Sequence, residues 1–295
     1  ERSLCMNKTA ALIVTYNRKN LLKECIEALT RSETPCDIFV IDNASTDGTQ
    51  DAMQDFVDGG TIAYHNTGAN LGGAGGFNFA LKTALKRDYE YFWIMDDDCI
   101  VQPDSLTQLM RVAKAHPDFG FLSSRVLWTD GARCRMNEQK LLEGSLDADK
   151  PQRCRQATFV SLLLRASAVR KAGLPISEFF IWGDDVEYTR RLSKIFPCWY
   201  VPASVVIHKT ANNEGSNIAT DSAARLPRYR FAYRNEVYIA KKEKGSRILY
   251  QGAKILYHSA RVLIKAPDHK LERLGIIWSG SREGLSFDPR VEKVQ

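Results

Sequence analysis

Tyr91-Phe-Trp-Ile-Met-Asp-Asp-Asp98 is a short apolar run that stops on three consecutive carboxylates. It reads as a strand whose end carries an acidic cluster, and the same arrangement recurs upstream. Residues 9–14 (TAALIV) end in Thr15-Tyr16-Asn17-Arg18, followed by apolar positions Leu21, Leu22, Cys25, Ile26 and Leu29 at helical spacing. Asp37-Ile-Phe-Val-Ile41 is a second strand, with Asp42-Asn-Ala-Ser-Thr-Asp-Gly-Thr49 as its loop and a helix over 50–57. Residues 61–65 are a third strand, leading into Asn66-Thr-Gly-Ala-Asn-Leu-Gly-Gly-Ala-Gly-Gly76 and a helix over about 77–86. Strands alternating with helices predict a parallel sheet. Ligands of such sheets sit at the carboxyl ends of the strands, where all four polar loops fall.

Beyond residue 120 the pattern loosens. Arg133 to Arg155 is polar and reads as a surface excursion, and 166–172 as a helix. Phe179-Phe-Ile-Trp182 precedes Gly183-Asp184-Asp185, with a helix over 186–195. Residues 201–207 are a strand ending at His208, 212–222 a mobile loop, and a helical tail follows. The fold expected is α/β: a Rossmann-like, nucleotide-binding mixed sheet flanked by helices. Residues 6–222 would form the main unit, with halves at about 6–119 and 120–222, and 223–295 a basic helical C-terminal region.

Composition narrows the class. With 295 residues, 44% hydrophobic and 26% charged, the chain can bury a sizeable core and is not a disordered protein. No run approaches the roughly 18 apolar residues of a spanning helix, and residues 10–14 are too short for a signal-peptide core. Seven scattered cysteines (Cys5, Cys25, Cys36, Cys99, Cys134, Cys154, Cys198), odd in number and without a Cys-x-x-Cys pair, argue against a zinc site or a disulfide framework. A cytoplasmic location is expected. Net charge is +6, but Arg225 to Arg273 holds 13 Lys/Arg against 4 Asp/Glu, so the basic character belongs to the C-terminal segment.

Three adjacent acids repel unless a cation compensates them, and carboxylates are the hard ligands that Mg²⁺ or Mn²⁺ prefers, often shared with substrate phosphates. Alternation along an extended chain would put Asp96 and Asp98 on one side and Asp97 on the other. The competing reading is a solvated acidic turn beside the helix opened by Pro103-Asp104-Ser105. The glycines from Gly68 to Gly76 permit close backbone approach, but neither a Walker lysine nor a Gly-x-Gly-x-x-Gly after the first strand is present. Asp42 is placed to accept hydrogen bonds from a nucleoside, with Asp47 the better helix cap. At Asp184-Asp185, mutual repulsion and an apolar wall would raise one carboxyl toward the range of a general base, while the other caps a helix. Trp182 offers a face for a sugar ring. A lone histidine such as His208 is more often structural than a ligand.

These motifs resemble the inverting family-2 glycosyltransferases of GT-A fold: Ile13-Val-Thr-Tyr-Asn-Arg18, Val40-Ile-Asp-Asn-Ala-Ser-Thr-Asp-Gly-Thr49, Asn70-Leu-Gly-Gly-Ala-Gly-Gly-Phe77, Met95-Asp-Asp-Asp98 and Trp182-Gly-Asp-Asp-Val-Glu187, in the family's order across residues 9–210. The glycine stretch and aspartate triplet look most like bacterial galactofuranosyltransferases, with dTDP-rhamnose-dependent rhamnosyltransferases second. The resemblance implies a nucleotide-sugar donor, UDP-galactofuranose favoured, and a polysaccharide or lipid-linked glycan acceptor. By position, Thr15, Tyr16, Asn17 and Arg18 would line the nucleotide pocket. Asp42, with Asn43, would hold base or ribose, and Asn70, Gly72 and Gly73 would pack on nucleoside and donor sugar. Asp96, Asp98 and His208 would hold a divalent metal (Mn or Mg), with Asp96 also at the diphosphate and Asp97 toward ribose or sugar. Asp185, paired with Asp184, takes the base position, beside acceptor residues Trp182 and Gly183. Gly183 stands where many galactofuranosyltransferases have tryptophan directly before the acids, as in rhamnosyl-type members.

In the C-terminal region Ile248, Leu249, Ile255, Leu256, Val262 and Leu263 recur at heptad spacing, flanked by Arg247, Lys254 and Arg261. That stripe suits an anionic membrane surface, such as the inner face of the cell membrane, or equally packing on the main unit or a homo-oligomer contact. Two other classes compete: a nucleotidyltransferase, disfavoured because no basic glycine-rich start with lysine is present, and a non-catalytic nucleic-acid or membrane-binding module, which leaves the polar loop edge unexplained. No nucleic-acid partner is expected.

Overall fold

A computed structural model describes residues 8–294. Cys5 and the first two residues of the expected 6–222 unit lie outside the described residues, as does Gln295. Four parallel strands, β1 (Thr9–Thr15), β2 (Asp37–Asp42), β3 (Ile62–Asn66) and β4 (Tyr91–Asp96), lie in the order β3-β2-β1-β4. The sheet continues through β5 (Cys99–Val101), β6 (Phe121–Leu127), β7 (Lys140–Leu141), β8 (Gln152–Gln156), β9 (Leu162–Arg165) and β10 (Trp199–His208). Its path is β3-β2-β1-β4-β9-β6-β10-β8-β7, with β5 on β10. Because β9 runs antiparallel to both β4 and β6, the sheet is mixed, as expected.

Side-chain alternation builds a core on each face. Leu12, Val14, Phe92 and Ile94 pack with α4 (Gly72–Ala84), α6 (Ala166–Ala172) and α7 (Asp184–Ser193). Ala11, Ile13, Trp93 and Met95 pack with α1 (Lys19–Thr30) and α5 (Ser105–Ala115). Burial on both faces explains why these strands read as continuous apolar runs.

Three local expectations are corrected. The helix over 50–57 is two short helices, α2 (Thr49–Ala52) and α3 (Gln54–Asp58), broken at the buried Met53. The glycine stretch is largely helix, because α4 starts at Gly72. The glycines serve close packing: a Cβ on Gly76 would lie 2.5 Å from Val14 Cγ1, and one on Gly72 (φ +70°) 2.1 Å from Phe180 O. The segment 212–222 is anchored through Ile218 and Ala219, which are buried, and Arg273 Nη1 donates to Ile218 O at 2.6 Å.

The tail forms α8 (Leu226–Glu243), α9 (Ser246–Lys265) and α10 (Lys270–Ser286). Leu226, Tyr229, Tyr233, Val262 and Ile277 give it a core of its own. Tyr238 and Ile239 of α8 pack against Ala74, Ile176 and Phe179 of the main unit. After α10 the chain returns to the sheet unit, where Leu174 N donates to Glu292 O at 2.9 Å.

Candidate active site

β4 ends at Asp96, and Asp97-Asp98 form the tight turn into β5. Strand alternation therefore does not separate the acids; the turn brings Asp98 back beside Asp96. One ligand atom from each of Asp96, Asp98 and His208 lies within 4.8 Å of the other two. β5 pairs with the end of β10, His208 opposite Cys99, so backbone pairing brings the histidine to the acids across 110 residues. His208 Nε2 meets Asp98 Oδ1 at 2.9 Å, and Nδ1 meets Asn137 Oδ1 at 2.8 Å. The buried Asn137, from the supposed surface excursion, thus fixes the imidazole.

The field here is extreme. Burial, with Asp98 next, pushes Asp96 up to about 7. Burial likewise raises Asp97 to about 6, against the pull of Arg18. At Asp98 burial is outweighed by the His208 hydrogen bond and charge and by Arg18, so its carboxyl stays below the ordinary range. Burial opposes the His208 imidazolium, but hydrogen bonds to Asp98 and Cys134 and the nearby carboxylates raise it to about 10. Arg18 Nη1 donates to Asp98 Oδ2 at 2.7 Å and to Asp97 Oδ1 at 3.3 Å. Asp97 also accepts from Thr15 Oγ1 at 2.7 Å, which ties β4 to β1. The Asp96 carboxylate accepts no hydrogen bond among the described residues and is left for a ligand, with His208 and Arg18 acting on it only through their charge. Two carboxylates and an imidazole, with an uncompensated carboxylate among them, fit a hard divalent cation.

The loops after β1 and β2 are zipped together. Asn17 N donates to Ser45 Oγ at 2.8 Å, and Thr46 N to Asn17 Oδ1 at 2.7 Å. Tyr16 is exposed at this rim. Asp42 is fully buried; its Oδ1 accepts from Ser45 N and Oγ, and its Oδ2 from Tyr64 Oη at 2.5 Å. It therefore holds the loop's shape rather than offering a free oxygen. Asp47 accepts from Thr49 N and Lys19 N, so it ties the β2 loop to the start of α1, while the cap position of α2 falls to Gly48 rather than to Asp47 as expected. Asn43 Nδ2 donates to Gly72 O at 3.0 Å, while its Oδ1 is buried without a partner among the described residues. Asn70 Oδ1 caps Gly72 N at 2.9 Å, and Gly73 faces open space.

Opposite stands the strained segment before α7, with Phe180 (φ 62°), Trp182 (φ 63°) and Gly183 (φ 87°) in left-handed geometry. Phe180 O accepts from Ala74 N at 3.1 Å. The buried Asn235 of α8 donates from Nδ2 to Phe179 O, Ile181 O and Trp182 O, at 2.9, 3.2 and 2.8 Å. Trp182 packs edge-on to Tyr229 with Arg225 over its ring. Asp184 is buried, and burial followed by the charges of Asp185 and Asp96 raises it well above the ordinary range. Burial raises Asp185 to about 6, countered by the Val186 N–H and Arg190. Asp184 thus feels the triplet, and Asp185 feels a guanidinium on the far side.

The family model described as glycosyl transferase family 2 matches residues 10–162, just over half of the chain. This chain belongs to that family. The glycosyltransferase is 27% identical over 270 residues to galactofuranosyltransferase GlfT1 of Mycobacterium tuberculosis (82% of this chain, 84% of the relative). It is 27% identical over 245 residues to that organism's N-acetylglucosaminyl-diphospho-decaprenol L-rhamnosyltransferase (72% and 79%). Among solved structures it resembles the mannosyltransferase PcManGT from Pyrobaculum calidifontis in complex with GDP-Man and Mn²⁺, with TM-score 0.58 and 16% identity over 96% of this chain and 81% of that one. The fold of the glycosyltransferase is GT-A. Asn137 and Asn235 had no readable signal in the sequence, since each acts through contacts made only when distant segments meet.

Proposed function

We propose that the chain transfers galactofuranose from UDP-galactofuranose to a polysaccharide or lipid-linked glycan with inversion, Asp185 acting as general base. The observation that carries this is the pairing of two acidic centres: the Asp96–Asp98–His208 cluster at the strand ends, and Asp184-Asp185 in the first turn of α7, just after a clamped loop, where Asp184 feels Asp96. Asp96, Asp98 and His208 would hold Mn²⁺ or Mg²⁺, which supplies charge stabilisation at the departing nucleoside diphosphate. Tyr16, the Asn17–Ser45 zipper and the Asn70–Gly73 turn would form the nucleoside and sugar walls, with Asp42 setting the shape of the β2 loop. Asp97 would act through Thr15 and Arg18. Asp185 would take the proton of the acceptor hydroxyl as that oxygen attacks the anomeric carbon.

Asp185→Asn should keep donor binding and lose roughly 10²- to 10⁴-fold in turnover, measured by sugar transfer or donor hydrolysis. Near wild-type transfer by this variant sinks the assignment. Gly183 before the acids favours the second reading, a dTDP-rhamnose donor. A thermal-shift screen of UDP-, dTDP- and GDP-sugars with Mn²⁺ separates the two, because stabilisation reports affinity. A nucleotidyltransferase reading is tested with sugar phosphate and nucleoside triphosphate.

We further propose that residues 223–295 bring the enzyme to the inner face of the cell membrane. No helix among the described residues is long and apolar enough to cross one. On α9 the stripe divides: Val262 is buried and Ile255 partly buried, while Leu249, Leu256, Leu263 and Ile264 are exposed. The exposed half suits an interfacial contact, and self-association remains its rival. Flotation with phosphatidylglycerol vesicles, alongside sedimentation for oligomeric state, decides between them.

A further inference from the structure

Arg18 follows β1 at the rim of the strand-end loops and reaches into the acidic triplet. Its Nη1 donates to Asp98 Oδ2 at 2.7 Å and to Asp97 Oδ1 at 3.3 Å, and these carboxylates are its only side-chain partners among the described residues. With Arg18 in place, every oxygen of the two acids has a partner. Asp98 Oδ1 faces His208 Nε2 at 2.9 Å, and Asp97 Oδ2 accepts from Thr15 Oγ1 at 2.7 Å. A divalent cation reaching this cluster meets one unengaged carboxylate, Asp96, and a second, Asp98, that already holds a guanidinium. Two cations at one buried carboxylate repel each other far more strongly than they would in bulk water.

The Arg18 arm is free to move while its root is not. Its side chain is 49% exposed, against 4% and 5% for Asp97 and Asp98. The backbone around it is held: Asn17 N donates to Ser45 Oγ, Lys19 N to Asp47 Oδ2, and Leu22 N to Arg18 O. A change of rotamer therefore releases both acids without moving the loop. Phosphate oxygens can draw the guanidinium away, through charge-assisted, bidentate hydrogen bonds. The carboxyl ends of the strands are where such a ligand sits. We propose that Arg18 is an internal counter-cation of the triplet, which disfavours a divalent metal until a nucleoside diphosphate draws its guanidinium off Asp98. Metal and nucleotide then bind with positive coupling, each raising the other's affinity by the same factor. The inference rests on the glycosyltransferase reading above and adds how its donor site is loaded.

The test is Mn²⁺ binding by the full chain, read from the paramagnetic resonance of the free ion, with and without UDP, dTDP or GDP; it needs neither the donor sugar nor the acceptor. Wild type should bind Mn²⁺ roughly tenfold or more tightly once a nucleoside diphosphate is present. Arg18→Gln should bind Mn²⁺ alone roughly tenfold more tightly than wild type, bind the nucleoside diphosphate alone more weakly, and show a smaller coupling factor. Arg18→Lys keeps the charge and should keep the weak affinity for Mn²⁺ alone. If Arg18 only braces Asp98 or only binds phosphate, Arg18→Gln leaves the affinity for Mn²⁺ alone unchanged or lowers it, and either result overturns the proposal. Equal Mn²⁺ affinity of wild type with and without a bound nucleotide overturns it as well, without recourse to any variant. Failure of UDP, dTDP and GDP alike to bind overturns the donor reading together with this inference. Nucleotide binding with unchanged Mn²⁺ affinity in Arg18→Gln overturns this inference alone, so the two failures are distinguishable.

Discussion

Asp185 sits where burial and a nearby guanidinium oppose one another, leaving its carboxyl near 6. As the proposed base, Asp185 must be ionised to act, so kcat/KM should rise with pH through an apparent value near 6 and level off above it. The Asp185→Asn variant should lack that limb in whatever activity survives. Stability depends separately on the Asp96–Asp98–His208 cluster. Asp96 has an ordinary value of 3.8 and about 7 in the fold, so between these the folded chain keeps a proton that the unfolded chain has lost. Stability from this group therefore falls as pH rises through that window. His208, at about 10 against an ordinary 6.5, extends the decline above neutrality. Chelator-treated protein should melt lower at pH 8 than at pH 5, Mn²⁺ should recover the difference, and Asp96→Asn should flatten the profile.

Among elements, α4 and α8 act on the site by contact rather than by chemistry. The glycines that begin α4 let it pass under Val14 and the Phe180 carbonyl, so Gly76→Ala should destabilise by about 2 kcal/mol through overpacking, read as a lower melting temperature. Asn235 on α8 is the only side-chain donor among the described residues to the Ile181 and Trp182 carbonyls. Losing it leaves two acceptors, Ile181 O and Trp182 O, without a side-chain donor, each worth roughly 1 kcal/mol or more, while Phe179 O keeps Arg234 and Ile181 N. Asn235→Ala should lower kcat at least tenfold while nucleotide affinity holds, because the loop that leads into the Asp184-Asp185 turn of α7 shifts and the strand-end loops do not. A fall in both together would mark Asn235 as merely structural.

For the whole molecule, these contacts make the helical tail part of the catalytic unit's architecture. Deleting residues 225–295 should abolish transfer, not just surface attachment, whereas Leu249→Glu/Leu256→Glu on the exposed side of α9 should leave melting temperature within a degree or two and test attachment alone. The sequence by itself determined the strand–loop–helix grammar and the acids at strand ends, because period and polarity are local and the sheet obeys them. It also marked Asp96, Asp98 and Asp185 as chemical candidates. Only the tertiary structure decided what the glycines are for, that Asp42 is satisfied internally, that Asn137 orients His208, and that α8 clamps the loop before α7. Each depends on atoms 22 to 108 residues apart meeting within hydrogen-bond or van der Waals distance, and no local pattern encodes such a meeting.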